Sequence, residues 1–178
     1  MKLIILDRDG VINEDSDDYI KSVDEFIPLP DSLEAISRLN HDGYVVMVAT
    51  NQSGIARGLF EIDTLNAIHG KLRRELSAFG GRIDGIFFCP HGPDDHCTCR
   101  KPAPGLLQEI AQRTGQSLEG VPAVGDSLRD IQAAQAVGAS PVLVKTGKGM
   151  RTLEQAGDLA GVPIYNNLAE YVDALLEG

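Results

Sequence analysis

No apolar run in this chain approaches the roughly 20 residues that a membrane-spanning helix needs, so no membrane partner is expected. The opening KLIILD is too short, and too quickly followed by charge, to read as a secretory signal. Positive charge is scarce: 16 Lys and Arg stand against 26 Asp and Glu, a net charge of −10. Nucleic-acid binders present a basic face, so no nucleic-acid partner is expected either. A small phosphorylated substrate stays open, because one or two placed cations and a metal suffice locally. Cysteine is scarce as well. There are three, an odd number, all within eleven residues. A secreted disulfide framework would be even and dispersed, and clustering without an export signal points to metal. Repeats, low-complexity tracts and linkers are absent too. What these absences leave is a single cytoplasmic domain over residues 1–178, long enough to bury a core and expected to act as a monomer.

Short apolar runs recur at 3–6, 45–50, 85–89, 121–125 and 141–145, with a sixth candidate at 161–166. Continuous Val- and Ile-rich runs of this length suit strands buried on both faces of a parallel sheet. Amphipathic stretches separate them at 30–43, 61–80, 104–115, 127–139 and 167–178. The first has Asp31 three residues before Glu34, an N-terminal cap pattern. The second sets Leu65, Ile68, Leu72, Leu76 and Phe79 on one helical face. Strand and helix alternate throughout, so the fold class is α/β with a mostly parallel, doubly wound, Rossmann-like sheet.

Ligands in such sheets bind at the carboxyl ends of the strands. The first strand runs into Asp7, Arg8, Asp9 and Gly10, the second into Thr50 and Asn51, the fourth into Gly125 and Asp126. Arg100 and Lys101 follow the third. Carboxylates gathered this way repel unless a cation sits among them, and hard oxygen ligands in an open site suit magnesium. A central carboxylate can attack phosphorus and form an aspartyl phosphate. A second, two residues on, can protonate the leaving oxygen and then deprotonate water. Thr50 and Lys101 would hold the phosphoryl oxygens as charge develops. Asp130 reads equally as a first-turn helix acid favoured by the dipole and as a site residue; Ser127 reads as a helix cap.

The order DRDG, ATNQSG, RKP, VGDSLRD resembles the four motifs of the haloacid dehalogenase superfamily of phosphotransferases, over essentially the whole chain. The resemblance implies Asp7 as nucleophile, Asp9 as general acid and base, and Thr50 and Lys101 as phosphoryl-stabilising groups. It implies magnesium held by Asp7, the backbone carbonyl of Asp9, and Asp126. Many relatives carry a cap domain between the first three motifs; the gaps here are too short for one.

One further stretch, CPHGPDDHCTCRKP, holds all three cysteines. Cys89, His91, Cys97 and Cys99 make a closed set of three thiolates and one imidazole, the donor set of structural zinc. His96 is the rival to His91, but its adjacency to Cys97 makes shared tetrahedral ligation harder. A zinc-binding loop here would tie the third strand to Arg100 and Lys101. Within the superfamily the pattern resembles two phosphatase families. One removes the C7 phosphate of a heptose 1,7-bisphosphate in lipopolysaccharide precursor synthesis; the other acts on histidinol phosphate. TNQSGIARG favours the first, while the short gap between His91 and Cys97 fits both, and Ser127 stands where some heptose enzymes have Lys. In the first reading Arg100 would contact the far phosphate or hydroxyls of a small phosphorylated sugar, and Asn51, Gln52, Ser53 and the loop residues Asp15, Ser16, Asp18 and Tyr19 would line the cleft. Arg57 is either a further anion contact or a solvated loop residue, and 145–149 reads mostly as a turn. A non-catalytic zinc-knuckle module would explain the cysteines but not the DxD, Thr, Lys and Asp set.

Overall fold

The first strand, β1 (Lys2–Leu6), shows how the sheet is buried. Ile4 and Leu6 point into one apolar cluster, Leu3 and Ile5 into the other, so both faces of the strand are covered. In the computed structural model, which describes residues 1–157 and 159–178, strand and helix then alternate. The elements are α1 (Ser32–His41), β2 (Tyr44–Asn51), α2 (Ile62–Ala78), β3 (Gly85–Cys89), α3 (Gly105–Thr114), β4 (Pro122–Gly125) and α4 (Leu128–Ala136). They continue as β5 (Ser140–Val144), α5 (Gly149–Gln155), β6 (Ile164–Tyr165) and α6 (Leu168–Glu177).

The sheet order is β3-β2-β1-β4-β5-β6 and every ladder is parallel. The strand order reverses between β1 and β4, and there a doubly wound sheet opens its ligand crevice. The larger apolar cluster joins one sheet face to α1, α2 and α6 through Ile36, Leu39, Ile68, Leu72 and Val172. The other joins the opposite face to α3 and α4 through Leu106, Ile110, Ala133 and Ala134. Only a loop and α1 lie between β1 and β2, and only loops and α2 between β2 and β3, so among the described residues no cap domain covers the crevice.

Three local expectations change. Asp31 does not cap α1: it is exposed, with φ 66°, and makes no side-chain capping bond. Buried Ser32 instead donates its hydroxyl to the Val11 carbonyl at 3.0 Å, which fixes the entry of the chain into the helix. Phe79 leaves the α2 face, because the helix ends at Ala78 and the ring is 53 % exposed. The segment after β5 is more than a turn, since it starts α5, whose seven residues are too few to show a helical period.

Candidate active site

The crevice is assembled from four loops that leave the sheet on one side. At the end of β1 the sheet continues one residue further, with the Asp7 N–H donating to the Val124 carbonyl at 2.9 Å. The chain then turns tightly: the Arg8 carbonyl accepts from Ile12 at 2.8 Å and the Gly10 N–H donates to Asn13 at 2.8 Å. Gly10 has φ 85°, and a Cβ there would run into the Asp126 carboxylate, so only glycine lets the two loops approach so closely. Arg8, which the motif reading passes over, is fully buried. Its Nε and Nη2 donate to Asp9 Oδ1 at 2.9 and 2.7 Å, and its Nη1 meets His69 Nε2 of α2 at 3.1 Å.

Lys101 is the hub of the site. Its Nζ donates to the Ala49 carbonyl at 2.8 Å and to Asp130 Oδ1 at 2.7 Å, and stands 3.3 Å from Asp7 Oδ1. Asn51 clamps its backbone from both sides, donating to the Lys101 carbonyl at 3.1 Å and accepting its N–H at 3.0 Å. Asn51 thus spends both ends of its amide on the loop. Gln52 Nε2 reaches Thr50 Oγ1 at 2.9 Å and Asp9 Oδ2 at 3.2 Å, tying the two motif residues together.

Asp130 holds the strand-to-helix turn as well as Lys101. Its Oδ2 accepts from the backbone N–H of Asp126 and Ser127, both at 3.1 Å, and from the Ser127 hydroxyl at 3.0 Å. Both meanings of Asp130 left open by sequence are therefore realised, and Ser127 acts at the helix entry. The segment 145–149 also belongs to the site. The Lys148 N–H donates to Asp126 Oδ2 at 2.8 Å, and its Nζ pairs with Asp15 at 2.9 Å.

One carboxylate oxygen each from Asp7, Asp126 and Asp130 lies within 4.8 Å of the other two. Lys101 pairs with Asp7 and Asp130, and among the described residues no ammonium pairs with Asp126, which leaves an excess of negative charge in a largely buried place. Burial, then the neighbouring Asp130 charge, pushes Asp7 up to about 7. Burial and the charges of Asp7 and Asp130 push Asp126 well above the ordinary carboxylate range. Burial acts on Asp130 in the same direction, but the Lys101 ammonium outweighs it and holds that carboxyl low. Burial also opposes ionisation of Asp9, and Arg8 with the Asn13 and Gln52 amides outweighs it, so Asp9 is held low. An all-oxygen donor set with this excess charge fits a hard divalent cation such as magnesium.

The cysteine loop forms a second centre. Cys89, His91, Cys97 and Cys99 bring their donor atoms within 4.8 Å of one another; His96 is not among them. Zinc–ligand bonds in a tetrahedron imply edges of about 3.6–3.8 Å. His91 Nδ1 stands 3.4 and 3.3 Å from the Cys89 and Cys99 sulfurs, and Cys89 is 3.7 Å from Cys97. The Cys89–Cys99 edge, 2.7 Å, is the one that would open by about 1 Å around a bound ion. The donor set and its shape fit zinc. The Arg100 N–H points at Cys97 Sγ at 3.4 Å, so the knuckle reaches directly into the RKP segment.

Comparison with known proteins places these two centres in context. A family model described as polynucleotide kinase 3 phosphatase matches residues 2–133, and one described as HAD-hydrolase-like matches 98–171. The D-glycero-β-D-manno-heptose-1,7-bisphosphate 7-phosphatase of Bordetella bronchiseptica is 58 % identical over 177 residues, 99 % of each chain. That of Pseudomonas aeruginosa is 55 % identical over 175 residues, 98 % of each. The chain belongs to this family of haloacid dehalogenase-type phosphatases. A crystal structure of the B. bronchiseptica D,D-heptose 1,7-bisphosphate phosphatase, complexed with magnesium and phosphate, superposes with a TM-score of 0.97 over 99 % of both chains.

The cleft of this family member is about 440 Å³. Asp7, Asp9, Thr50, Lys101 and Asp126 all line it, as do Asp15, Ser16, Tyr19, Asn51, Gln52, Ser53, Arg57 and Arg100. Asp18 does not. The tight turn at Ser16, whose hydroxyl accepts the Asp18 N–H at 3.1 Å, carries that side chain away, and Asp17 lines the cleft in its stead. Arg129 and Lys148 line it too and were not singled out by sequence. The KTGKG run after the fifth strand was the available signal for Lys148; buried Arg8 and His69 left no signal short of the fold.

Proposed function

We propose that this chain is a magnesium-dependent phosphoric monoester hydrolase. It removes the C7 phosphate of D-glycero-D-manno-heptose 1,7-bisphosphate, in lipopolysaccharide heptose precursor synthesis. One observation carries the chemistry: the carboxylates of Asp7, Asp126 and Asp130 converge beside Lys101 where the strand order reverses. The substrate rests on near-full-length relatives at 54–58 % identity.

The residues divide the work as follows. The Asp7 carboxylate attacks phosphorus; the bond from phosphorus to the C7 oxygen breaks, and the leaving oxygen takes a proton from Asp9. Asp9 then takes a proton from water, whose oxygen attacks the aspartyl phosphate and frees Asp7 and inorganic phosphate. Thr50 and Lys101 stabilise the phosphoryl oxygens in both steps. Asp7, the Asp9 backbone carbonyl and Asp126 would hold magnesium, which supplies charge neutralisation and Lewis-acid polarisation when bound. Asp9 rests ionised against Arg8; the bound dianionic phosphate raises its proton affinity, and Asp9 takes up one proton from solvent before it acts as the acid. Asp15, Ser16, Tyr19, Gln52, Ser53 and Arg100 face the sugar, and Asn51 orients Lys101.

Zinc at Cys89, His91, Cys97 and Cys99 is structural in this reading, because all four positions are filled by protein. Metal analysis should return one zinc per chain and Cys97→Ser should lose it; a metal-free, fully active wild type refutes the assignment. We also place the enzyme in the cytoplasm as a single-domain monomer, since one chain supplies the whole cleft; a dimer by light scattering would correct this. The function itself is tested by magnesium-dependent phosphate release from heptose 1,7-bisphosphate, histidinol phosphate and fructose 1,6-bisphosphate. The heptose ester should give the highest kcat/KM. Preference for histidinol phosphate overturns the substrate, and release from none of the three overturns the enzyme.

A further inference from the structure

The two carboxylate oxygens of Asp9 have unlike surroundings. Oδ1 accepts from Arg8 Nε at 2.9 Å, Arg8 Nη2 at 2.7 Å and Asn13 Nδ2 at 2.9 Å. Among the described residues Oδ2 accepts only from Gln52 Nε2, at 3.2 Å, and that amide also reaches Thr50 Oγ1 at 2.9 Å. A proton on Oδ1 would displace a charge-assisted bond from a buried guanidinium. A proton on Oδ2 displaces at most one long amide bond. Oδ1 is therefore the anchored oxygen, and Oδ2 the one free to exchange a proton.

The anchor is itself held from behind the cleft. Arg8 and Asn13 are fully buried, and neither Arg8 nor His69 lines the cleft. Two edges of the Arg8 guanidinium are fixed: Nε and Nη2 face Asp9, and Nη1 meets His69 Nε2 at 3.1 Å. Its central carbon lies 5.8 Å from the centre of the buried Phe26 ring. A guanidinium has donors and no acceptor, so Arg8 donates to His69 and Nε2 is the unprotonated ring nitrogen. His69 is buried on α2 among apolar inward residues, Leu65, Ile68, Leu72 and Leu76. A leucine would serve there for packing alone. What the histidine adds is one acceptor at the rear of the guanidinium. Among the described residues Nη1 has no other bonded partner, so without that acceptor a buried charged donor is left unpaired and the fork turns to find one.

We propose that His69 is a positioning residue for the reaction: through Arg8 it holds Asp9 by Oδ1, and so assigns Oδ2 as the oxygen that carries the proton. This deepens the phosphatase reading above and rests on it. As the bond from phosphorus to the C7 oxygen breaks, its electron pair stays on that oxygen. The Oδ2–H bond breaks with it, the proton passes to the C7 oxygen, and Asp9 is left as the carboxylate. In the second step Oδ2 takes a proton from the water that attacks the aspartyl phosphate. A carboxyl free to rotate would offer either oxygen at no fixed distance from the leaving group, and proton transfer in the transition state depends on that distance.

The test uses two leaving groups. A sugar alkoxide needs a proton as it departs; the nitrophenolate of 4-nitrophenyl phosphate leaves as a stable anion. Because kcat/KM reports the first phosphoryl transfer, it isolates the acid from the later base. In His69→Leu, kcat/KM for heptose 1,7-bisphosphate should fall about 10- to 100-fold, the lower part of what general acid catalysis contributes. For the aryl ester it should fall less than about threefold. His69→Gln, whose amide oxygen can replace Nε2 as the acceptor, should recover most of the loss. Leu76→Ala, which opens the core under the same helix, should lower both esters alike. Equal losses on the two esters in His69→Leu, or no recovery in His69→Gln, overturn the positioning role while the phosphatase reading stands. If His69→Leu does not fold, His69→Asn takes its place, since its shorter amide stops short of Arg8. If wild type ignores the aryl ester, or releases phosphate from neither ester and so fails the phosphatase reading, a crystal structure of the variant decides. An Arg8 fork still seated on Asp9 Oδ1 refutes the role; a turned fork supports it.

Discussion

Arg8→Met should be the most destabilising single change in the site that leaves every motif carboxylate in place. The Arg8 side chain is wholly buried, and that of Asp9 is 23 % exposed. Removing one partner of a buried ion pair costs roughly 3–5 kcal/mol, because the other charge is left uncompensated. Asp9 keeps the Asn13 and Gln52 amides and some water, so the lower end applies, about 3 kcal/mol. In a chain of this size each kcal/mol moves Tm by about 2–4 °C, which gives a fall of about 6–12 °C. The effect has a pH signature. Asp9 is held low in the fold, so its contribution is present above the ordinary carboxylate range and lost as pH falls through the lower folded value. Burial and the Arg8 charge push His69 down to about 3, so keeping that ring neutral is free above about 6.5 and costs stability below it. Removing Arg8 forfeits the first term and relieves the second. The Tm gap between wild type and Arg8→Met should therefore be widest near pH 7 and narrow toward pH 4. Thermal melts by circular dichroism across that range read it directly. A Tm within 2 °C of wild type, or a gap that ignores pH, refutes the buried-pair account. Arg8→Met with Asp9→Asn should recover part of the loss, since both charges are then gone.

Magnesium should stabilise the protein more at pH 8 than at pH 5. The Asp7 carboxyl is raised to about 7 in the fold, so its contribution is full below the ordinary carboxylate pKa and lost as pH rises toward 7. A divalent cation removes that loss; an equal Tm gain at both pH values contradicts it. Asp7→Asn should lower phosphate release by at least about 1,000-fold. In EDTA it should melt no lower than wild type, because it removes one of the crowded charges; a lower melt contradicts the repulsion argument. Asn51→Ala should lower kcat about 10- to 100-fold with a smaller change in KM, because it frees the Lys101 backbone rather than a substrate contact. A pure rise in KM would return Asn51 to the substrate-facing set.

The strand ends were legible because buried parallel strands write themselves as short continuous apolar runs, and the motif residues follow those runs directly. The helix face of α2 was legible up to Leu76 and failed at Phe79, where the helix stops one residue before the period does. The cleft was legible wherever one motif residue meets another. It was not legible where a motif residue is held by something outside the motifs. His69 lies 61 positions from Arg8, and nothing local marks a histidine on an apolar helix face as the partner of a buried guanidinium. Asp18 and Asp17 are indistinguishable in sequence; a turn at Ser16 decides which one faces the cleft. Arg129 sits in the first turn of α4, where the dipole favours acids.

The same contrast explains why the cysteine loop matters to a reaction it takes no part in. Lys101 is held from three sides. The Ala49 carbonyl and Asp130 fix its ammonium, Asn51 fixes its backbone, and Cys97 accepts the N–H of the residue before it. The first two anchors sit on β2 and on α4, and neither needs metal. The third hangs from the knuckle, and Arg100 is the residue it governs most closely. Loss of zinc should therefore disturb Arg100 more than Lys101. A zinc-free Cys97→Ser protein should lose more of its kcat/KM for the bisphosphate than for heptose 7-phosphate. Equal losses on the two esters would mean that the knuckle acts through Lys101 instead, and that the Asn51 clamp is too weak to hold the lysine alone.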